Sequence, residues 1–83
     1  MRGIVRIIND NSGLAAVELD VDDWTIFEPL GASDADLDDV VTGNLTSLGS
    51  NTWINETRHQ RFSVYVQDIH ASAEVALRTV RGF

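Results

Sequence analysis

Residues 1–19 constrain this chain more than any other stretch. Ile4, Val5, Ile7 and Ile8 are β-branched. They are stiff at the first side-chain torsion and suit a pleated surface better than a helix. Asn9-Asp10-Asn11-Ser12-Gly13 follows, residues that accept left-handed backbone or hydrogen-bond their own main chain. Leu14 to Leu19 is apolar again, with Glu18 its one charge. Two apolar runs around a short Asn/Asp/Gly segment are a hairpin signal, whereas a helix would have to hold that turn chemistry in its interior. The chain is expected to open with a β-hairpin.

The remainder reads mostly as strands. Asp20-Val21-Asp22-Asp23 is a polar connection, and Trp24 to Glu28 a third strand that Pro29, the only proline, ends by removing a backbone donor. Leu30 to Asp39 is a Gly- and Asp-rich loop with a short helical turn starting near Ser33. Val40 to Ser47 reads as a fourth strand in which Gly43 marks a bulge or bend. Leu48 to Asn51 reads as a turn and Thr52 to Thr57 as another strand. Arg58-His59-Gln60 then turns into Arg61 to Ile69, the clearest strand of the chain. There Phe62, Val64 and Val66 alternate with Arg61, Ser63, Tyr65 and Gln67, and Asp68 marks its end. Ser72 to Val80 fits a helix, with Ser72 as cap, Glu74 in the first turn and Arg78 and Arg81 near the end. Ala73, Ala76, Leu77 and Val80 would be its buried stripe. A strand alternating at Val75, Leu77 and Thr79 is the weaker alternative, because the alanines favour helix.

The opening pattern M-R-G-x-V-R-x-x-N-x-x-x-G-x-x-x-V, carried by Met1, Arg2, Gly3, Val5, Arg6, Asn9, Gly13 and Val17, resembles the start of bacterial cold-shock domains. The resemblance covers residues 1–45, with Leu37-Asp38-Asp39-Val40-Val41 in the place of the segment before that family's fourth strand. It implies an OB-fold. With the strand count, the expected fold is all-β: one domain, residues 1–83, forming a small five- to six-stranded antiparallel OB-like barrel with a short C-terminal helix. The family binds single-stranded nucleic acid with aromatic side chains in two motifs on adjacent strands. In the place of the first, Lys-Gly-Phe-Gly-Phe, stands Ser12-Gly13-Leu14-Ala15-Ala16. Ile7-Ile8 replaces an aromatic pair, and Trp24-Thr25-Ile26-Phe27-Glu28 matches the second motif loosely. Stacking contributes about 1–3 kcal/mol per base, so most of the family's binding energy is missing.

Charge separates the functional classes further. The net charge is −7, and all six basic residues are Arg. Residues 1–43 carry ten acids against Arg2 and Arg6, a balance of −8, while residues 44–83 carry three acids against four Arg, a balance of +1. Nucleic-acid affinity draws on cation–phosphate contacts, which an acidic surface opposes. The plainer explanation is that the acids keep a small protein soluble, or suit it to a salty cytoplasm. A hydrophobic fraction of 43% is that of a folded chain. With no Cys, no disulfide or thiolate metal site arises. No apolar run approaches the roughly 20 residues that span a bilayer, and charges and Asn interrupt the opening run before it resembles a signal peptide. The expectation is a cytoplasmic protein with no membrane partner.

No pattern of catalytic chemistry stands out. Asp34-x-Asp36-x-Asp38 imitates the start of an EF-hand loop, but Asp39 occupies the position that needs Gly and Leu45 the one that needs Glu. His59 and His70 are the only histidines and lack metal-ligand spacing. No nucleophile elbow, P-loop or dinucleotide fingerprint is present. The expectation is no enzyme, no metal and no cofactor.

A surface remains. If Tyr65 points outward, Arg61, Ser63 and Gln67 share its face, with Trp53 and Asn55 on the neighbouring strand and Arg58 and His59 at the joining turn. Trp53, Asn55, Arg58, His59, Arg61, Tyr65 and Gln67 are therefore the candidate binding residues. The competing explanation has Trp53 and Tyr65 covering the barrel's open end or packing under the helix. Aromatics with Arg favour protein interfaces and also single-strand stacking. Two readings follow. One is a module that binds a protein partner or assembles with itself, with little salt dependence. The other is single-stranded nucleic-acid binding on the Trp53/Arg58/Arg61/Tyr65 face, with steep salt dependence. Charge and the missing stacking residues favour the first.

Overall fold

The computed structural model describes residues 1–31 and 34–82. Six strands, β1 (Arg2–Asn9), β2 (Leu14–Asp20), β3 (Asp23–Pro29), β4 (Val40–Thr42), β5 (Gly49–Asn55) and β6 (Gln60–Ala71), precede one helix, α1 (Ala73–Arg81). The strands close into a barrel in the order β1-β2-β3-β6-β5-β4, and every neighbouring pair is antiparallel. The all-β, OB-like barrel with a short C-terminal helix is therefore the fold.

The opening hairpin forms as its residues dictate. Gly13 takes φ 75° and donates its N–H to the Asn9 carbonyl at 2.9 Å, closing the turn. A bulge between Val5 and Ile7 changes the parity of β1. Val5 and Ile8 consequently belong to the core inside the barrel, while Ile7 faces the other way. Gly3 lies where β1 and β2 approach closely: a Cβ there would sit 2.5 Å from Val17 Cγ2.

The strands of the first sheet half bury both faces, which explains their nearly unbroken apolar sequence. Inside the barrel, Val5, Ala15, Val17, Phe27, Val41, Leu45, Trp53, Phe62, Val64 and Val66 make the main core. Trp53 sits at its centre, with its ring 4.8 Å from Phe27 and 6.2 Å from Phe62. On the outside, Ile7, Ala16, Trp24, Ile26 and Ala71 make a second core with Ala76 and Val80 of α1. The helix thus lies across β1, β2 and β3.

Three boundaries and the buried face of the helix differ from expectation. The fourth strand stops at Thr42 instead of Ser47, because Gly43 takes φ 140° and turns the chain. The turn expected at 48–51 is instead the start of β5, since Gly49, Ser50 and Asn51 pair with Val66, Tyr65 and Val64. Asp68 does not end β6: register shifts opposite Trp24 to Phe27 carry the strand on to Ala71, with His70 at φ 55°. In α1 only Ala76 and Val80 are buried; Ala73 and Leu77 are exposed. The helical turn expected near Ser33 begins outside the described residues.

α1 is tied down at both ends. Ser72 Oγ accepts from the Val75 N–H at 3.1 Å, and the Ala73 N–H donates to Asp22 Oδ1 at 2.8 Å. At the far end, Asn9 Nδ2 and Ser12 Oγ both donate to the Val80 carbonyl. Gly82 supplies the left-handed cap at φ 84°. Ser72→Ala is expected to cost about 1 kcal/mol through loss of the cap, read as a lowered midpoint of thermal unfolding with no change in the sheet signal of the folded state.

Candidate functional site

The candidate residues divide between the inside and the outside of the barrel. On β6 the alternation holds: Phe62, Val64 and Val66 are buried, and Arg61, Ser63, Tyr65 and Gln67 are exposed. The neighbours extend this outer face. Tyr65 stands between Glu28 of β3 and Ser50 of β5, Ser63 opposite Thr52, and Arg61 opposite Ile54. Leu30 joins the face where its N–H donates to the Ser63 carbonyl at 3.0 Å. Tyr65 and Ile54 are each 44% exposed and Leu30 57%. Arg61 forms no ion pair among the described residues.

Trp53 and Asn55 do not reach this face. β5 has the same two-residue alternation, so pairing Trp53 with Phe62 turns both into the core. Trp53 is fully buried and its indole Nε1–H donates to the Asn44 carbonyl at 3.3 Å. Asn55 is also fully buried, and its amide donates to Asp39 Oδ2 at 2.8 Å and to the Asp34 carbonyl at 3.0 Å. Nor does Tyr65 close an open end of the barrel or pack under α1.

Arg58 is a structural cation. Its Nε lies 3.1 Å from Asp39 Oδ2 and its Nη2 3.6 Å from Asp36 Oδ2. Asp39 is only 6% exposed, and its Oδ2 also accepts from the Asp36 N–H at 2.9 Å. Arg58, Asp39 and Asn55 thus lock the loop before β4 to the turn before β6. His59 is exposed in that turn at φ 55°. Of the bases read together at this turn, Arg58 is engaged by Asp36 and Asp39, and Arg61 faces outward from β6.

The positions that the cold-shock resemblance sets against its stacking motifs are also accounted for. Leu14 and Ala16 of β2 and Trp24 and Ile26 of β3 turn outward and lie beneath α1. In this chain α1 covers those positions. Sequence reasoning found both the helix and the two motif segments; that one covers the other is a long-range relation with no local signal.

The carboxylates of the Asp-rich loop are turned to their own chain. Asp34 Oδ2 accepts from the Gly31 N–H, Asp36 Oδ1 from the Leu37 N–H, and Asp38 Oδ1 lies 2.8 Å from Arg6 Nη1. No group of three or more His, Asp or Glu is placed to hold a metal among the described residues. The two histidines are at opposite ends of β6. His70 Nδ1 is 3.2 Å from Asp23 Oδ1, and the nearby Ser72 hydroxyl is engaged as the helix cap. A cleft of about 500 Å³ opens at the barrel end between the first hairpin and the loop after β3. Its apolar walls include Ile8, Ala15 and Pro29; among its polar members, Asp34 accepts from the Gly31 N–H and Asp36 pairs with Arg58. No described helix is long and apolar enough to cross a membrane. No family model, no curated protein and no solved structure matches this chain.

Proposed function

We propose that the chain is a non-enzymatic, OB-like binding module of the cytoplasm that recognises protein through the outer face of β6 with its neighbours β3 and β5. One observation carries this reading. Tyr65, Ile54 and Leu30 are exposed among Ser50, Thr52, Ser63 and Gln67, with Glu28 beside Tyr65 and the acids Asp34, Glu56 and Asp68 toward the edges of the face. Interface centres are depleted in acids and lysine and enriched in Tyr and Arg, and exposed apolar groups rimmed by polar ones mark interaction sites. The cold-shock-like opening then marks a shared barrel whose ligand chemistry has not been kept.

Single-strand binding of the cold-shock kind has one observation in its favour, since Arg61 and Tyr65 share a face and such pairs stack on bases. Against it stand the engaged Arg58, the covered motif positions and the net charge of −7. A photo-crosslinking amino acid placed at Tyr65 in the living cell, with Thr79 on the exposed side of α1 as control, separates the two. A nuclease-resistant protein adduct at 65 but not at 79 is expected. An adduct that nuclease removes, or no adduct beyond the control, would overturn the protein-binding reading.

A further inference from the structure

We propose that the chain also binds a small dipolar molecule, of the free α-amino-acid type, in a pocket between β5, β6 and the loop after β3. Gly31, Asp34, Thr52, Arg61, Phe62 and Ser63 line this pocket of about 390 Å³, a volume within the range of small-molecule sites. It holds one carboxylate and one guanidinium, and neither is in an ion pair among the described residues. The backbone under each charge is fixed. Arg61 pairs with Ile54 in the β5–β6 ladder, and the Asp34 carbonyl accepts from the buried Asn55 amide at 3.0 Å. The Asp34 carboxylate is aimed as well, because its Oδ2 accepts from the Gly31 N–H at 3.0 Å. Gly31 makes room for it: a Cβ there would sit 2.5 Å from Asp34 Oδ2.

Opposite charges that line one cavity without pairing select its occupant. An anion is repelled by Asp34 and a cation by Arg61, whereas a molecule carrying both charges satisfies each. An ammonium group donates to the Asp34 carboxylate, and a carboxylate accepts two parallel bonds from the Arg61 fork. The Ser63 and Thr52 hydroxyls belong to the same lining, and Phe62 supplies its aromatic part, which suits an apolar ligand side chain. The neighbouring charges do not enter the pocket. Glu56 accepts from the Thr42 hydroxyl at 2.9 Å, Asp68 from the Ile69 N–H at 2.9 Å, and Arg58 holds Asp36 and Asp39. Arg61 is exposed and Asp34 half-buried, so solvent screens both and affinity on the order of millimolar is expected. Tyr65 does not line the pocket, and the site does not depend on protein recognition by the rest of the face.

Titration of the full chain with leucine, followed by the backbone amide signals, tests this. Two analogues serve as comparison: leucinamide, which lacks the carboxylate, and N-acetyl-leucine, which lacks the ammonium group. Leucine is expected to give saturable shifts at Gly31, Asp34, Thr52, Arg61 and Ser63, and each analogue to bind roughly tenfold more weakly or worse. Arg61→Gln and Asp34→Asn should each weaken leucine binding by a similar factor. Both variants are expected to fold, since Arg61 is exposed and an Asn side-chain carbonyl still accepts from the Gly31 N–H. An otherwise unchanged amide spectrum checks this. Absence of saturable shifts at these residues overturns the proposal. Equal binding of leucine and both analogues overturns it too, as does leucine binding that neither variant weakens, because the two charges would then not select the ligand.

Discussion

Trp53→Ala is expected to remove most of the stability of this barrel. Trp53 is fully buried, packs its ring against Phe27 and Phe62, and donates its indole N–H to the Asn44 carbonyl. Truncating a buried Trp costs about 3–5 kcal/mol through lost burial and the cavity left behind, and the Asn44 carbonyl loses its donor as well. Small domains have only about 5–15 kcal/mol in total. In a domain of this size each kcal/mol moves the melting midpoint by roughly 4–8 °C, so the variant should melt tens of degrees lower or not fold at growth temperature. Tyr65→Ala, on the outer side of the next strand, should change stability by no more than about 0.5 kcal/mol. Denaturant unfolding of the two variants measures the contrast. Comparable losses from both would contradict the inward and outward assignment.

Asp39→Ala is expected to be the second most damaging change. A single carboxylate oxygen holds the Asp36 N–H, the Asn55 amide and the Arg58 guanidinium. The same residue's carbonyl accepts from the Val5 N–H at 2.9 Å, which docks the loop onto β1. Removal leaves one of the two acceptors of the buried Asn55 amide missing, with only the Asp34 carbonyl kept, and a half-covered cation. Breaking a buried charge pair costs about 3–5 kcal/mol, and about 2–4 kcal/mol is expected here because Arg58 keeps Asp36 and some water. Asn55→Ala should cost less, and the double variant less than the sum, since both act on one cluster. Additive losses in a double-mutant cycle would show that the cluster is not a unit.

The strands were legible wherever the two-residue period was regular, as in β6, where Phe62, Val64 and Val66 declare the inward side. β5 misled because its polarity is inverted: apolar Ile54 is outside and polar Asn55 inside. What keeps Asn55 buried is Asp39, 16 residues away, and no local pattern announces such a pairing. Pairing with β6 likewise decides Trp53, since its partner is the core residue Phe62. The helix was legible from its cap and its terminal charges, yet what it covers was not. Ile7, Ala16, Trp24 and Ile26 acquire a common lid only after β1, β2 and β3 are laid side by side. Arg58 shows the same limit, because a base beside aromatics reads as a binding residue until Asp36 and Asp39 are brought to it.

The most direct test of protein recognition over single-strand binding is a heteronuclear NMR titration with a mixed-sequence single-stranded oligonucleotide, at low and at physiological salt. The indole N–H groups of Trp24, under α1, and Trp53, in the barrel core, report on the two places where bases could stack, and the Arg61 and Tyr65 amides report on the outer face of β6. With α1 covering the first place and the second enclosed, no saturable shift is expected at either salt. Saturable shifts at Trp24 or along Arg61 to Gln67 that vanish as salt rises would contradict protein recognition and return the chain to nucleic-acid binding.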